Sequence, residues 1–132
     1  MDFNVVFSED YKFVDVHIRN AMIRCDNSVI KEGTGRAPNP GTYLFTAVAS
    51  CTAATAYNYC VNNGLPLPTE VGVQVEASKE RSGLEKISFE IKVPADFPKE
   101  RLQAVQKAAD ACWVKKQWLN PPVFETKVQK AE

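Results

Sequence analysis

The chain has 132 residues, and its 16 Lys plus Arg are balanced by 16 Asp plus Glu. That length suits one domain, residues 1–132, able to bury a core without disulfide staples. Balanced charge with no run of like sign excludes the electrostatic footprint of a general nucleic-acid or anionic-membrane binder. The opening MDFNVVFSEDYKF carries acids where a secretory signal carries bases, and no stretch approaches the roughly 18 apolar residues of a membrane span. A soluble, cytoplasmic protein is expected.

In chain order, Val5, Val6 and Phe7 lead through the polar Ser8-Glu9-Asp10 to Phe13, after which Val14, Val16 and Ile18 alternate with Asp15 and His17. This period of two predicts a hairpin, with Asp15 and His17 on the polar side. Residues 22–30, interrupted by Asp26-Asn27, predict a second, weaker hairpin. The glycine- and proline-rich stretch 33–40 is loop.

Asn39-Pro40 is a helix start: asparagine caps free amides, and proline fits the first helical position. The run from Thr42 to Asn63 contains neither proline nor glycine, and Gly64 suits its end. Between Tyr43 and Tyr57 it carries no charge, so a helix of more than about five turns is expected to be enclosed on nearly every side. Alternation then returns. Val71, Val73, Val75 and Ala77 share one face, and Ile87, Phe89, Ile91 and Val93 share one face of an antiparallel partner joined through residues 79–83. Asp96-Phe97-Pro98 opens a second helix with Leu102, Val105, Ala109 and Cys112 on one stripe. Asn120-Pro-Pro122 ends that region, and residues 123–128 predict a closing strand. The order of elements is that of an α+β domain, an antiparallel sheet wrapped around a long buried central helix, with dimerisation covering the helix surface left over.

Four cysteines, Cys25, Cys51, Cys60 and Cys112, lie far apart with no Cys-x-x-Cys and only one histidine, so no structural zinc and no cofactor is expected. In a reducing compartment they are packed thiols or redox-active ones. Cys51 sits in Ala49-Ser50-Cys51-Thr52-Ala53 and, on its local setting, fits a small buried hydrophobe. Cys112 has the same explanation as the last position of its stripe. Nine steps of about 100° put Cys60 on the side of the helix opposite Cys51, and Cys25 ends a weak strand. Both are expected to be structural.

The segment 37–64, with its Pro-Asn-Pro entry, Ala49-Ser50-Cys51-Thr52 core and Asn63-Gly64-Leu65-Pro66 exit, resembles the central helix of the OsmC/Ohr family (osmotically inducible protein C-like, organic hydroperoxide resistance-like). Ala109-Asp-Ala-Cys112-Trp-Val114, running to Leu119-Asn-Pro-Pro122-Val123, resembles that family's second cysteine helix and final strand. The resemblance implies an intertwined homodimer and a thiol-dependent peroxidase that reduces organic hydroperoxides or hydrogen peroxide. Cys51 would be the peroxidatic residue and Cys112 the resolving one, with an external dithiol as reductant.

Three departures bear on this. Peroxidase members of the family generally hold a hairpin arginine with a glutamate just after the Asn-Pro entry, where Gly41 stands here, and the first turn has no arginine. Arg36, Arg19 and Arg24 are the candidate cations to reach Cys51, because the dipole of its own helix fades within the first turn and Cys51 lies about three turns in. Trp113 replaces the proline that many relatives have after the second cysteine, so the helix is expected to run past Cys112. His17 is a weak candidate base. Gly41, the missing arginine and the tyrosines Tyr43, Tyr57 and Tyr59 also fit a non-catalytic OsmC-like dimer binding a hydrophobic small molecule.

Overall fold

The structure is a computed structural model, and it describes residues 2–27, 34–80 and 83–131. The chain divides into two compact units, Met1–Ala47 and Val48–Glu132. The division falls inside the long helix.

In the first unit β1 (Asn4–Phe7), β2 (Phe13–Ile18) and β3 (Ala21–Asp26) form an antiparallel sheet in that order. Val5 pairs with Val16, and Val14 with Cys25. The β1–β2 turn closes with Ser8 N–H donating to Phe13 O at 3.0 Å, and Asp10 Oδ1 accepts Lys12 N–H at 3.1 Å. Between β2 and β3 the chain reverses in two residues, with Arg19 at φ 51, the positive φ that such tight hairpin turns demand. Residues 21–26 are therefore the third strand of the first sheet rather than one arm of a separate hairpin, and residues 28–33 lie outside the described residues. Asp15 departs from the expected alternation by being buried. Arg24 on the neighbouring strand explains it: its Nε and Nη2 each donate to one Asp15 oxygen at 2.8 Å, the bidentate pairing that lets a carboxylate leave water. His17, paired with Asn4, is exposed.

Helix α1 (Pro40–Asn62) starts where Asn39 Oδ1 accepts the N–H of Thr42 at 2.8 Å. This satisfies one of the amides a helix start leaves without a partner. The expectation of burial all round is not met within one chain. Val48, Thr52, Ala56 and Cys60, each four residues after the last, form one buried stripe, whereas Leu44, Tyr57 and Val61 are exposed.

In the second unit β4 (Glu70–Ala77) and β5 (Leu84–Lys92) pair antiparallel with Val71 opposite Ile91, Val73 opposite Phe89 and Val75 opposite Ile87. A single 3-10 turn (Lys99–Arg101) leads into α2 (Leu102–Asp110), and α3 (Trp113–Leu119) follows. The core gathers Ala56 and Cys60 of α1, Phe97, and Val105 and Ala109 of α2, with Ile91 and Val93 packed against them. Val105 and Ala109 are thus buried as the predicted stripe requires, whereas Leu102, at its start, is exposed. The helix does not run past Cys112, however. It stops at Asp110, and Cys112, with extended backbone (φ −62, ψ 144), caps a new helix.

The expected closing strand is also absent among the described residues. Residues 120–131 are neither helix nor strand, and Val123, Phe124 and Val128 are 85–98% exposed. Alternation marks a segment able to pair, but a strand forms only where a ladder satisfies its backbone groups.

Candidate functional site

The break between α2 and α3 brings Cys112 to Cys51. Cys112 is 1% exposed, Cys51 is half-buried, and both are free thiols. A helix start leaves its first amides unsatisfied, and here two sulfurs take them up. The third amide of α3, that of Lys115, donates to Cys112 Sγ at 3.3 Å, while those of Trp113 and Val114 are directed at the Cys51 sulfur. The first bond inside α3 is Lys116 N–H to Cys112 O at 3.2 Å. Cys112 also lies beside Cys51, and its thiol is one of the groups that act on the Cys51 sulfur.

These donors set the acidity of Cys51. Burial pushes its thiol up. The Val114 N–H and the Cys112 thiol, with smaller contributions from Thr55 and the Trp113 N–H, outweigh that, so Cys51 lies below the ordinary thiol value. Thr55 gives its single hydroxyl proton to the Cys51 carbonyl at 2.7 Å, which leaves the amides and Cys112 as the main support. Burial alone acts on Cys60 and raises it, and burial reinforced by the Asp15 charge raises Cys25. Two thiols are therefore held protonated in packed surroundings, while Cys51 is drawn toward its thiolate.

Around the pair, Thr52 donates to Val48 O at 2.8 Å and stands 3.8 Å from Cys112 Sγ. It closes one end of a cavity of about 450 Å³ walled by Ile87, Phe89, Val105 and Ala109 and bordered by Lys115. Tyr57, half exposed, lines a separate cavity of about 400 Å³ with Ala53 and Ala54. Tyr59 accepts from Arg101 Nη2 at 3.1 Å.

The candidate cations belong to the first unit. Arg24 is committed to Asp15, and its guanidinium lies 4.4 Å from the centre of the Phe13 ring. Arg36 stacks on the same ring at 4.9 Å. Arg19 sits in the β2–β3 turn, and Tyr43 donates its hydroxyl proton to Arg24 O at 2.8 Å. What sequence reasoning missed is the group of backbone amides on Cys51. No side chain announces them, and neither proline nor glycine marks the helix break that presents them.

The sequence model of the OsmC-like protein family matches residues 33–127. That match covers most of the chain, which therefore belongs to the OsmC-like family, in keeping with its α+β arrangement of antiparallel strands and helices. A search of curated proteins returns no match. Among solved structures, a protein of Psychrobacter arcticus 273-4 assigned to the osmotic stress and detoxification response is similar at TM-score 0.70 and 19% identity, over 89% of this chain and 87% of that one. An OsmC-like protein of Mycoplasma pneumoniae is similar at TM-score 0.64 and 17% identity, over 91% and 87% of the two chains. An OsmC-like protein of Vibrio cholerae of unknown function gives 0.61 at 9% identity, over 89% and 93%. Among the described residues, no helix is long and apolar enough to cross a membrane.

Proposed function

We propose that this chain is a thiol-dependent peroxidase, a single OsmC-like domain acting in a reducing cytoplasm on organic hydroperoxides or hydrogen peroxide. The observation that carries the reading is the setting of Cys51: two backbone amides and the Cys112 thiol on one sulfur, with its acidity raised and that of Cys25 and Cys60 lowered.

The chemistry divides between the two sulfurs. The Cys51 thiolate attacks the distal oxygen of ROOH, the O–O bond breaks, and the alkoxide leaves with a proton as alcohol. Cys51 is then a sulfenic acid, oxidised by two electrons. Cys112 attacks that sulfur, water departs, and a Cys51–Cys112 disulfide forms. An external dithiol returns both thiols by two exchange steps and is itself oxidised to a disulfide. The amides of Trp113 and Val114 serve the first step by holding the thiolate. The Lys115 N–H on Cys112 Sγ serves the second by holding the resolving sulfur at the start of α3, beside its target.

The working unit in this reading is a homodimer. Val123, Phe124 and Val128, together with Leu44 and Val61 of α1, leave more apolar surface uncovered than one chain satisfies.

A second reading, a non-catalytic dimer that binds a hydrophobic small molecule, is favoured by one observation: the 450 Å³ cavity has an apolar wall of Ile87, Phe89, Ile91 and Val105 beside the polar Gln106, Asp110 and Lys115, and neither cysteine lines it. One experiment addresses both. Reduced protein is incubated with cumene hydroperoxide or hydrogen peroxide, each thiol is followed by mass spectrometry, and freshly purified protein is examined by native mass spectrometry. The peroxidase reading expects Cys51 to be consumed well before Cys25 and Cys60. A retained ligand beside inert thiols would overturn it in favour of the second.

A further inference from the structure

The helix break at Ala111-Cys112 is made without the residues that usually make one, and something must hold it. Lys115 is the side chain in place to do so. Its ammonium lies 3.3 Å from Ala109 O and 3.4 Å from Asp110 Oδ1, at the end of α2, and 4.2 Å from the centre of the Phe89 ring on β5. The side chain is only 16% exposed, and its backbone N–H is the one on Cys112 Sγ. Charged amines are seldom buried this far unless paired. Here one ammonium meets a helix-terminal carbonyl, a carboxylate and a ring face together, while the same residue's backbone is tied to the second sulfur.

We propose that Lys115 is a positioning residue, whose side chain clips the end of α2 to the start of α3 and so keeps the amides of Trp113 and Val114 on the Cys51 sulfur. The inference rests on Cys51 as the working thiol and adds a determinant that neither cysteine motif contains. The chain of contacts is short. Moving the end of α2 away from α3 changes the direction of the first amides of α3, and those amides have no other acceptor within their own helix. The charged and titratable groups with contacts at the break are Asp110 and Lys115 from the α2–α3 segment, with the Cys112 thiol; Lys107 and Lys116, on the same two helices, are exposed. Thr52 and Thr55 from α1, and Ile87 and Phe89 from β5, add no charge. No proline stands at the break, and Lys115 holds it by hydrogen bonding and ring contact instead.

The test is the pH dependence of Cys51 alkylation by iodoacetamide, read at the Cys51 peptide by mass spectrometry in the wild type, Lys115→Met, Lys115→Arg and Phe89→Leu. Lys115→Met is expected to move the midpoint up by about one pH unit, slowing alkylation at neutral pH about tenfold. Amide exchange at Trp113 and Val114 should accelerate while β4 and β5 stay protected. Lys115→Arg, which keeps charge and donors, should restore most of the rate. Phe89→Leu, which removes the ring beneath the ammonium and leaves the α2–α3 backbone untouched, should shift the midpoint in the same direction by less, and it decides the matter if Lys115→Met does not fold. Profiles of both folded variants superimposing on the wild type would overturn the proposal, as would Phe89→Leu alone doing so when Lys115→Met does not fold. Because alkylation needs no peroxide, inert Cys51 toward hydroperoxide with a shifted Lys115→Met profile would sink the peroxidase reading and leave this one standing.

Discussion

The sulfur of Cys112 accepts the backbone N–H of Lys115 at 3.3 Å, and the Cys112 thiol also helps hold the Cys51 sulfur toward its thiolate. One buried sulfur therefore caps a helix and faces the sulfur whose acidity that helix start controls.

A pH profile follows from this relationship. Because folding lowers the Cys51 pKa, its thiolate persists to lower pH than a free thiol near about 8.5 allows. Alkylation of Cys51 should rise with pH with its midpoint below that of an ordinary thiol, and fall as pH drops through the folded value. At neutral pH Cys51 should react at least about tenfold faster than Cys25 and Cys60, which burial raises. The sign for stability is the same: the contribution of Cys51 ionisation is present above the ordinary thiol pKa and is lost as pH falls through the folded one. Site-resolved alkylation between pH 5 and 10 checks the profile, and equal rates at the three cysteines would contradict it.

The start of α1 offers a stability test away from the thiols. Asn39 Oδ1 takes the Thr42 amide at 2.8 Å, and the Thr42 hydroxyl also donates to it at 3.1 Å. Asn39→Ala removes both bonds and should cost about 1 kcal/mol in urea denaturation, with the denaturant slope unchanged.

Much of the fold was legible because its signals are local. Alternation at Val71, Val73 and Val75 against Ile87, Phe89 and Ile91 predicted the faces that the register then pairs. Asn39-Pro40 announced α1, and the period of α2 placed Val105 and Ala109 in the core. What stayed hidden depends on partners far along the chain. The stripe from Leu102 to Cys112 gives no sign of stopping at Asp110, because a contact network holds the break and no breaker residue marks it. Asp15 reads as a surface carboxylate until Arg24 is laid beside it. Cys51 and Cys112 were singled out by motif resemblance, whereas the amides on the Cys51 sulfur are backbone groups that every sequence carries and only a fold can aim.

Residues 123–128 supply a prediction about assembly. Their apolar side chains are almost wholly in solvent within one chain, which the homodimer proposed here would relieve. Light scattering should return a mass twice 14.7 kDa. The pair Phe124→Asp and Val128→Asp should weaken association on the order of thirtyfold or more. A wild-type chain that stays monomeric at high micromolar concentration would contradict the dimer.

What Cys51 becomes on meeting a peroxide decides between a catalytic thiol and a packed one. The direct measurement is mass spectrometry of the Cys51 and Cys112 peptides after one equivalent of cumene hydroperoxide, in the wild type and in Cys112→Ser, with dimedone present to trap sulfenic acid. A peroxidatic Cys51 yields a Cys51–Cys112 disulfide in the wild type and a dimedone adduct on Cys51 in the variant. An unmodified Cys51 in both proteins, or oxidation spread evenly over Cys25, Cys51 and Cys60, would contradict it.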